Sequence, residues 1–351
     1  DDDLKIVPTF TYGGINTEFT IYDSKGIKYE FDIPASTTTS SVAGSIINSA
    51  RSATGITEWK ISKITTPNNQ TIDFTYESYT TEYSLANSQV RKNGNSSAPA
   101  TYNNVVNHTT DYDLYMKLLS SIETDAVKVS FIYSTDASAD IWQKKLTEIK
   151  ILDKIHSESR SFILEYGRYV NNGQLQLQYL KEKGTSGNIS DKVWTFSYNG
   201  SDNPANTSKS VDYFGYYNGA SNTGYIPIYL NRSTMQTYSL NDRDINNTYI
   251  AKGILNQITY PTGGKTKYYY ETNTGTDKWG NDICAGGVRV YKIEDIDHDG
   301  TIAKIKEYTY YGLGGNIHIR DNYQKYWRNF SESVYQDYIY YSNPIMDKNL
   351  T

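Results

Sequence analysis

One segment occurs twice in the sequence, and this pair constrains the fold more than any other feature. Residues 61–77 read ISKITTPNNQTIDFTYE, and residues 255–271 read LNQITYPTGGKTKYYYE. The two segments align without a gap, with Pro67 over Pro261. In each, alternating residues enter a turn beside the proline and leave it toward an aromatic-x-Tyr ending, which is typical of a β-hairpin. In the second copy, Gly263–Gly264 predicts a two-residue turn in which both glycines take φ > 0.

The outline of this hairpin recurs in looser form elsewhere in the chain. Each copy begins with two aliphatic residues three positions apart and ends close to a tyrosine that follows another large apolar residue. The spacing between copies is irregular, so the pattern favours hairpins with turns of different length over a strict solenoid or propeller. The looser copies run from Leu146 and Ile149 to Tyr166, from Leu177 and Leu180 to Tyr198, and from Val290 and Ile293 to Tyr310.

Composition supports the same fold class. The chain has 35 Tyr against 9 Phe, 5 Trp and 3 Met, and tyrosine suits a half-buried sheet because its ring packs while its hydroxyl meets water. We predict an all-β fold in which repeated antiparallel hairpins form a large twisted or spiralling sheet. A few short helices are expected as well, at 112–122 and 323–335 with a helical turn near 42–47, and Ser- and Thr-rich segments 35–57 and 86–110 predict long surface loops.

No convincing linker divides the sequence. We therefore expect one β-rich domain over residues 1–351, with a soft division near 200–210, where GSDNPANTS interrupts the alternation. The chain begins with three aspartates rather than methionine, so we expect a processed piece of a longer protein.

Charge and hydropathy exclude several function classes. The net charge is −5 and no block of Lys or Arg stands out, so we do not expect a nucleic-acid partner. The sequence contains no apolar run of about 18 residues, so no membrane-spanning helix is predicted. Cys284 is the single cysteine and cannot form a disulfide within the chain.

The first hairpin carries a family resemblance. Residues 21–31 read IYDSKGIKYEF, and Tyr22-Asp23-x-x-Gly26 resembles the signature of the YD-repeat, or Rhs, family. The hairpin at 258–271, the GGVRV run that starts at Gly286, and VDYFGYYNG at 211–219 are similar to segments of uncharacterised Rhs-like surface or secreted proteins of bacteria. The resemblance implies successive hairpins in a broad spiralling sheet and a secreted or cell-envelope location. Later copies carry Glu in place of Asp, so it implies a smaller open sheet rather than a closed shell.

The run DYFGYYNG at 212–219 is one candidate site. Aromatic faces flanked by Asp and Asn are typical of sugar-binding surfaces, because rings stack on apolar sugar faces while polar groups bond the hydroxyls. The alternative is a structural plug in which the rings pack on the sheet and Gly215 allows a close approach, and we favour it. The candidate ligand-binding residues are Asp212, Tyr213, Phe214, Tyr216, Tyr217 and Asn218.

The second candidate site is DIDHDGT at 295–301. Three acidic residues at alternate positions before a glycine, namely Asp295, Asp297 and Asp299, resemble the start of a calcium loop. The twelfth position of such a loop holds a bidentate acid, whereas here it is Lys306. A plain hairpin turn is the favoured interpretation and calcium binding is the alternative, with no other cofactor predicted.

Catalytic signatures are weak throughout the sequence. The four histidines are far apart, and the chain has no Gly-x-Ser-x-Gly motif. We therefore predict a non-catalytic structural or interaction domain of a secreted or cell-surface bacterial protein. A glycan- or peptide-binding module that uses loop 212–219 is the alternative, with carbohydrate or another surface protein as its partner. A glycoside hydrolase is a third, less favoured interpretation, because carboxylate pairs cannot be identified from sequence alone.

Overall fold

The structure is a computed structural model, and its regular elements are β-strands. It describes residues 4–10, 16–42, 51–93, 105–136, 144–169, 174–184, 189–200, 203–205, 208–212, 214–224, 228–231, 236–239, 241–276, 282–310, 323–326 and 337–342. The strands are β1 (Lys5–Phe10), β2 (Asn16–Tyr22), β3 (Lys28–Phe31), β4 (Ile33–Val42), β5 (Arg51–Lys60), β6 (Lys63–Thr65), β7 (Thr71–Asn93), β8 (Val105–Glu123), β9 (Val127–Thr135), β10 (Lys144–Asp153), β11 (Glu158–Arg168), β12 (Leu175–Lys183), β13 (Ile189–Tyr198), β14 (Ile228–Asn231), β15 (Gln236–Ser239), β16 (Leu255–Thr259), β17 (Lys265–Thr276), β18 (Asp282–Ile296), β19 (Ile302–Glu307), β20 (Tyr323–Tyr326) and β21 (Asp337–Ser342).

The strands form a long antiparallel meander. Following the pairings from one edge to the other gives the order β1-β2-β3-β6-β7-β8-β9-β10-β11-β12-β13-β16-β17-β18-β19. Hairpin β4–β5 pairs along the first half of β8, and β20–β21 pairs along the far end of β7. Strands β14 and β15 form a separate ribbon. The sheet is open, and the predicted all-β fold with a large antiparallel sheet is confirmed.

The predicted short helices are wrong, because none of the described residues is helical. Residues 112–122 lie in β8, where Tyr112, Leu114, Met116 and Leu118 alternate with polar or exposed positions and β7 pairs along the whole segment. This period of two outweighs the helix propensity of Leu, Met and Lys. Strand β20 replaces the start of the helix predicted at 323–335, and the rest of that segment lies outside the described residues.

The two segments predicted as long loops are largely strands. Residues 35–42 and 51–57 belong to β4 and β5, and residues 86–93 and 105–110 belong to β7 and β8. Thr and Ser fit a paired strand here because β4 has a partner on each side, β5 and β8. Of the predicted helical turn near 42–47, Val42 ends β4 and the rest lies outside the described residues.

Four hairpins share one turn geometry, a three-residue loop with a left-handed third residue. In each, the residue before the loop accepts a bond from the third loop residue and donates to the residue after it. The third residues are Gly26 (φ 78°), Asn69 (φ 61°), Gly263 (φ 88°) and Gly300 (φ 90°). This is the type I turn with a glycine-type bulge, in which Asn also tolerates positive φ. The predicted two-residue turn at Gly263–Gly264 is therefore wrong, since only Gly263 has positive φ.

The aspartate of Tyr22-Asp23 stabilises its own turn. Its Oδ1 accepts the backbone N–H groups of Lys25 and Ile27, both at 2.9 Å, and the hydroxyl of Tyr29 donates to Oδ2 at 3.3 Å. An Asp at the first position of a turn commonly binds the backbone two residues on. This gives the Tyr-Asp pair a local structural role.

A row of tyrosines ties each hairpin together, and we call it the tyrosine row. In six of the described hairpins, the hydroxyl of a tyrosine near the end of the hairpin donates to the backbone carbonyl of the first of the two aliphatic residues. The bonds are Tyr76 to Ile61 (2.8 Å), Tyr133 to Leu119 (3.0 Å), Tyr166 to Leu146 (2.9 Å), Tyr198 to Leu177 (2.8 Å), Tyr270 to Leu255 (2.5 Å) and Tyr310 to Val290 (2.6 Å). Five of these hairpins follow the pattern found in the sequence, and the hairpin from Leu119 to Tyr133 is an additional copy.

The backbone of the same tyrosines joins one hairpin to the next. Each of the first five row tyrosines lies opposite the first aliphatic residue of the following hairpin, and the residue two places before it lies opposite the second. One extra residue follows the first aliphatic position, so every junction contains a β-bulge. The opposed pairs are Tyr76 and Leu119, Tyr133 and Leu146, Tyr166 and Leu177, Tyr198 and Leu255, and Tyr270 and Val290.

The few buried apolar side chains of the described residues lie outside the meander strands. Between β13 and β16 the chain leaves the sheet, and its described parts at 208–224 and 241–254 contain Val211 and Ile250, two of the few buried apolar side chains. Most sheet residues are only half-buried. Cross-strand pairing and the tyrosine row therefore carry much of the organisation of the described sheet.

Candidate functional site

The aromatic loop is built around a fully buried carboxylate. Asp212 has 0% exposure, and its Oδ1 accepts the N–H groups of Phe214 at 2.8 Å and Tyr216 at 3.0 Å. Arg243 donates to the carbonyl of Asp212 at 2.7 Å, and Gly215 takes φ 89° at the apex. Burial raises the pKa of Asp212, while the two N–H bonds oppose that shift. The carboxylate thus holds a tight turn that only glycine fits easily at its apex.

The rings of the loop pack on glycines. A side chain at Gly286 would overlap the ring of Phe214, and one at Gly287 would meet the ring of Tyr216. Both glycines have φ 72°, so this part of β18 presents bare backbone to the rings. Tyr217 makes an edge-to-face contact with Tyr249, with ring centroids 5.3 Å apart. The loop therefore sits directly on the sheet.

The structure separates the candidate ligand-binding residues into three groups. Asp212 and Asn218 are buried, and the Asn218 amide donates to the carbonyls of Asp242 and Asp244. Either side chain would reach a ligand only if the loop opened. Phe214, Tyr216 and Tyr217 are half-buried and retain some accessible surface, while Tyr213 lies outside the described residues. This arrangement supports the packing interpretation, and sugar binding by the loop stays a prediction.

The three aspartates of the second candidate site make separate contacts. Asp295 accepts the hydroxyl of Thr266 at 2.7 Å, and Asp299 accepts the N–H of Thr301 at 2.8 Å. Asp297 begins the three-residue turn, and a hydrogen bond from His298 lowers its pKa. Within the described part of the chain, no group of three or more His, Cys, Asp or Glu side chains is placed to hold a metal ion. The geometry is that of a hairpin turn, and calcium binding stays a prediction.

A polar trough, which sequence reasoning did not identify, crosses β12, β13, β16 and β17. Two depressions of about 410 Å³ and 330 Å³ adjoin at Ser197. We call these two depressions together the amide trough, because five amide side chains line their walls. Aromatic rings, such as those of Tyr179 and Tyr269, line the walls as well. The amide residues are Gln176, Gln178, Asn199, Asn256 and Gln257.

One atom of the amide trough is unsatisfied. The Asn256 amide nitrogen donates to Oδ1 of Asn199 at 2.9 Å, while Oδ1 of Asn256 is buried without a hydrogen-bond partner. Buried acceptors are nearly always paired, so this oxygen would gain from a ligand or a water molecule. Lys267 is the one charged side chain among the described lining residues, and amides beside aromatic rings suit a hydroxyl-rich ligand that is neutral over most of its surface. Asn and Gln are common throughout this sequence, which is why their spacing gave no signal.

The perturbed carboxylates belong to structural ion pairs. Hydrogen bonds from Lys128 and Lys154 lower the pKa of Glu123 to about 2. Glu182 behaves similarly, since Arg160 bonds its carboxylate and lowers its pKa. These pairs cross neighbouring strands and stabilise them modestly. Neither carboxylate lines the amide trough, and its described lining residues include no paired acids of the kind that glycoside hydrolysis uses.

No protein-family model matches the sequence, and a search of curated proteins finds no significant match. In the described residues no helix is long and apolar enough to cross a bilayer.

Proposed function

We propose that this chain is a non-catalytic structural and interaction domain of a secreted or cell-surface bacterial protein, built as a YD-repeat, Rhs-like β-scaffold. The tyrosine row is the observation that carries the proposal. It repeats the same hydroxyl-to-carbonyl bond in six hairpins and places each row tyrosine against the next hairpin. A chain built in this way extends its surface by adding hairpins. The hydroxyls of the row tyrosines bind the backbone, so their role is structural.

The Tyr-Asp turn adds support for the family. The carboxylate of Asp23 caps the first turn through two backbone N–H groups, and the same turn geometry returns in three other hairpins. The turn geometry is thus repeated, whereas the Tyr-Asp pair occurs at only the first of these four turns. The secreted or surface location rests on the family resemblance and has no independent support.

The scaffold role is tested by a panel of chromogenic glycosides, oligosaccharides and peptides incubated with the native and the heat-denatured chain. The scaffold predicts that native protein turns over none of them faster than the denatured control. Turnover that disappears on denaturation would contradict the proposal and favour a hydrolase. Fractionation of the producing cells, with surface protease treatment, tests the location separately.

A second candidate function is binding of a neutral glycan or a peptide. The unpaired Oδ1 of Asn256 in the amide trough favours it, and the half-buried rings of Tyr216 and Tyr217 offer the second surface. A glycan array with the wild type tests for binding. Loss of a hit in Asn256→Ala would locate binding in the trough, whereas loss in Tyr216→Ala would locate it in loop 212–219. Melting curves of both variants control for loss of fold. If the wild type binds no glycan on the array, the binding function is contradicted and the scaffold role is the remaining proposal.

A further inference from the structure

The two ends of the meander are open edges. Among the described strands, β1 pairs only with β2, and β19 pairs only with β18. Every residue of both strands is exposed. Exposed apolar side chains lie at each edge, including Leu4 (57%) and Val7 (40%) at one and Tyr308 (43%) and Tyr310 (40%) at the other. Such edges can pair with another strand.

The edge at β19 is the unfinished end of the tyrosine row. The Tyr310 hydroxyl already donates to the carbonyl of Val290, as in every earlier hairpin. The ring of Tyr310 is stacked beside Tyr308, with centroids 6.4 Å apart, and the guanidinium of Arg289 lies 4.3 Å from its centroid. Tyr310 therefore holds its row position before any partner arrives, which lowers the ordering cost of pairing.

The five internal junctions define what this edge accepts. At each one, the row tyrosine faces the first of two aliphatic residues three positions apart, and the residue two places earlier faces the second. The second pairs are Phe74 and Ile122, Phe131 and Ile149, Leu164 and Leu180, Phe196 and Ile258, and Tyr268 and Ile293. We therefore expect the open edge to pair with a strand that begins with two aliphatic residues three positions apart.

The exposed edge strand β1 begins with this spacing, in Leu4-Lys-Ile-Val7. We infer that the start of β1 in a second copy of this chain, from Leu4 to Val7, pairs antiparallel with residues 308–310, which continue the β19 edge, with Leu4 opposite Tyr310 and Val7 opposite Tyr308. Lys5 takes the place of the extra residue in the bulge. The contact continues the pattern of the internal junctions and covers the exposed side chains of Leu4, Val7, Tyr308 and Tyr310.

Two features limit the strength of this contact. Pro8 has no backbone N–H, so the pairing ends near Val7. Lys304 and Lys306 lie in β19, and lysines on an edge strand disfavour its pairing with another chain. The association is therefore weak and reversible. Because it joins two different edges, it leaves one free edge of each kind and produces an open series of oligomers rather than a closed dimer.

Sedimentation velocity over a range of concentrations tests the inference. The wild type should form a series of species that grows with concentration. Val7→Asp and Tyr308→Asp each place a charge at one of the two edges, at an exposed position. Each variant alone should therefore remain monomeric. An equimolar mixture of the two should form a dimer and nothing larger, since only one intact β1 and one intact β19 can meet.

A matched control is Ile132→Asp, an exposed apolar position on internal strand β9. It should associate as the wild type does, and circular dichroism should be unchanged in all three variants. A wild type that stays monomeric at every concentration would overturn the inference and leave the β19 edge to another part of the chain or to a different protein. Association that persists in both edge variants would also overturn it, because another surface would then be responsible.

Discussion

Replacing Tyr198 by phenylalanine removes one hydroxyl from the tyrosine row and leaves the ring in place. The hydroxyl donates to the carbonyl of Leu177 at 2.8 Å, and burial raises its pKa, so it remains a protonated donor at neutral pH. The net value of such a bond is about 0.5–1.5 kcal/mol, and a buried carbonyl left unpaired costs about 1–3 kcal/mol. Because this carbonyl lies in a half-buried region that water partly reaches, we expect the free energy of unfolding to fall by about 1–2 kcal/mol.

Urea unfolding followed by circular dichroism measures this loss as a lower midpoint with an unchanged slope. The control is Tyr179→Phe on the neighbouring strand, where the tyrosine is exposed and its ring faces Lys181. The ring contact survives in phenylalanine, so the change should stay within about 0.5 kcal/mol. If Tyr198→Phe were no more destabilising than Tyr179→Phe, the row hydroxyls would have no stabilising role, and the account of the repeat would be wrong.

Three further predictions concern the turns and the loop. Gly286→Ala should destabilise by about 2–4 kcal/mol in thermal or urea unfolding, because it combines a left-handed backbone with overpacking against Phe214; a neutral result would mean that the loop does not rest on β18. Gly263→Ala should lower the free energy of unfolding by about 1–2 kcal/mol, because alanine disfavours the left-handed conformation. Gly264→Ala, at negative φ, should lower it by less. Equal losses in the two variants would argue against the three-residue turn. Calcium should leave the melting temperature unchanged, as expected of a plain turn at Asp297, and a rise that Asp299→Asn abolishes would instead establish a calcium site.

The sequence was sufficient to predict the repeat because its register is set locally. Two aliphatic residues three positions apart, and a tyrosine two positions after a large apolar residue, define both the hydroxyl bond and the junction to the next hairpin. The copy from Leu119 to Tyr133 was detectable by the same rule, with Ile122 three residues after Leu119 and Phe131 two before Tyr133. The helix propensity of Leu, Met and Lys at 112–122 obscures this copy in the sequence, although the apolar residues of the segment alternate as in a strand.

Other features depend on information that lies outside the local sequence. The Gly263–Gly264 pair is compatible with two turn types, and the choice depends on which residues close the loop. The position of the aromatic loop on the sheet depends on the packing of Phe214 against Gly286, which lies far along the chain. The amide trough arises from four strands brought side by side, so no single segment indicates it.

The tyrosine row is tested most directly by alkaline titration of phenolate absorbance together with circular dichroism on the same samples. Burial raises the pKa of five row phenols, those of Tyr76, Tyr133, Tyr166, Tyr198 and Tyr270. A phenol whose pKa is higher in the folded state stabilises the fold fully below its unfolded value of about 10, and this stabilisation is lost as pH rises through the folded value.

The account predicts that exposed tyrosines ionise first with the sheet intact, and that a later group ionises together with loss of the β-sheet signal. Replacing Tyr198 alone by phenylalanine should make that later group smaller by one phenol and move the loss of the β-sheet signal to lower pH. Ionisation of every tyrosine near pH 10 with the sheet signal unchanged would contradict the central role given to the tyrosine row.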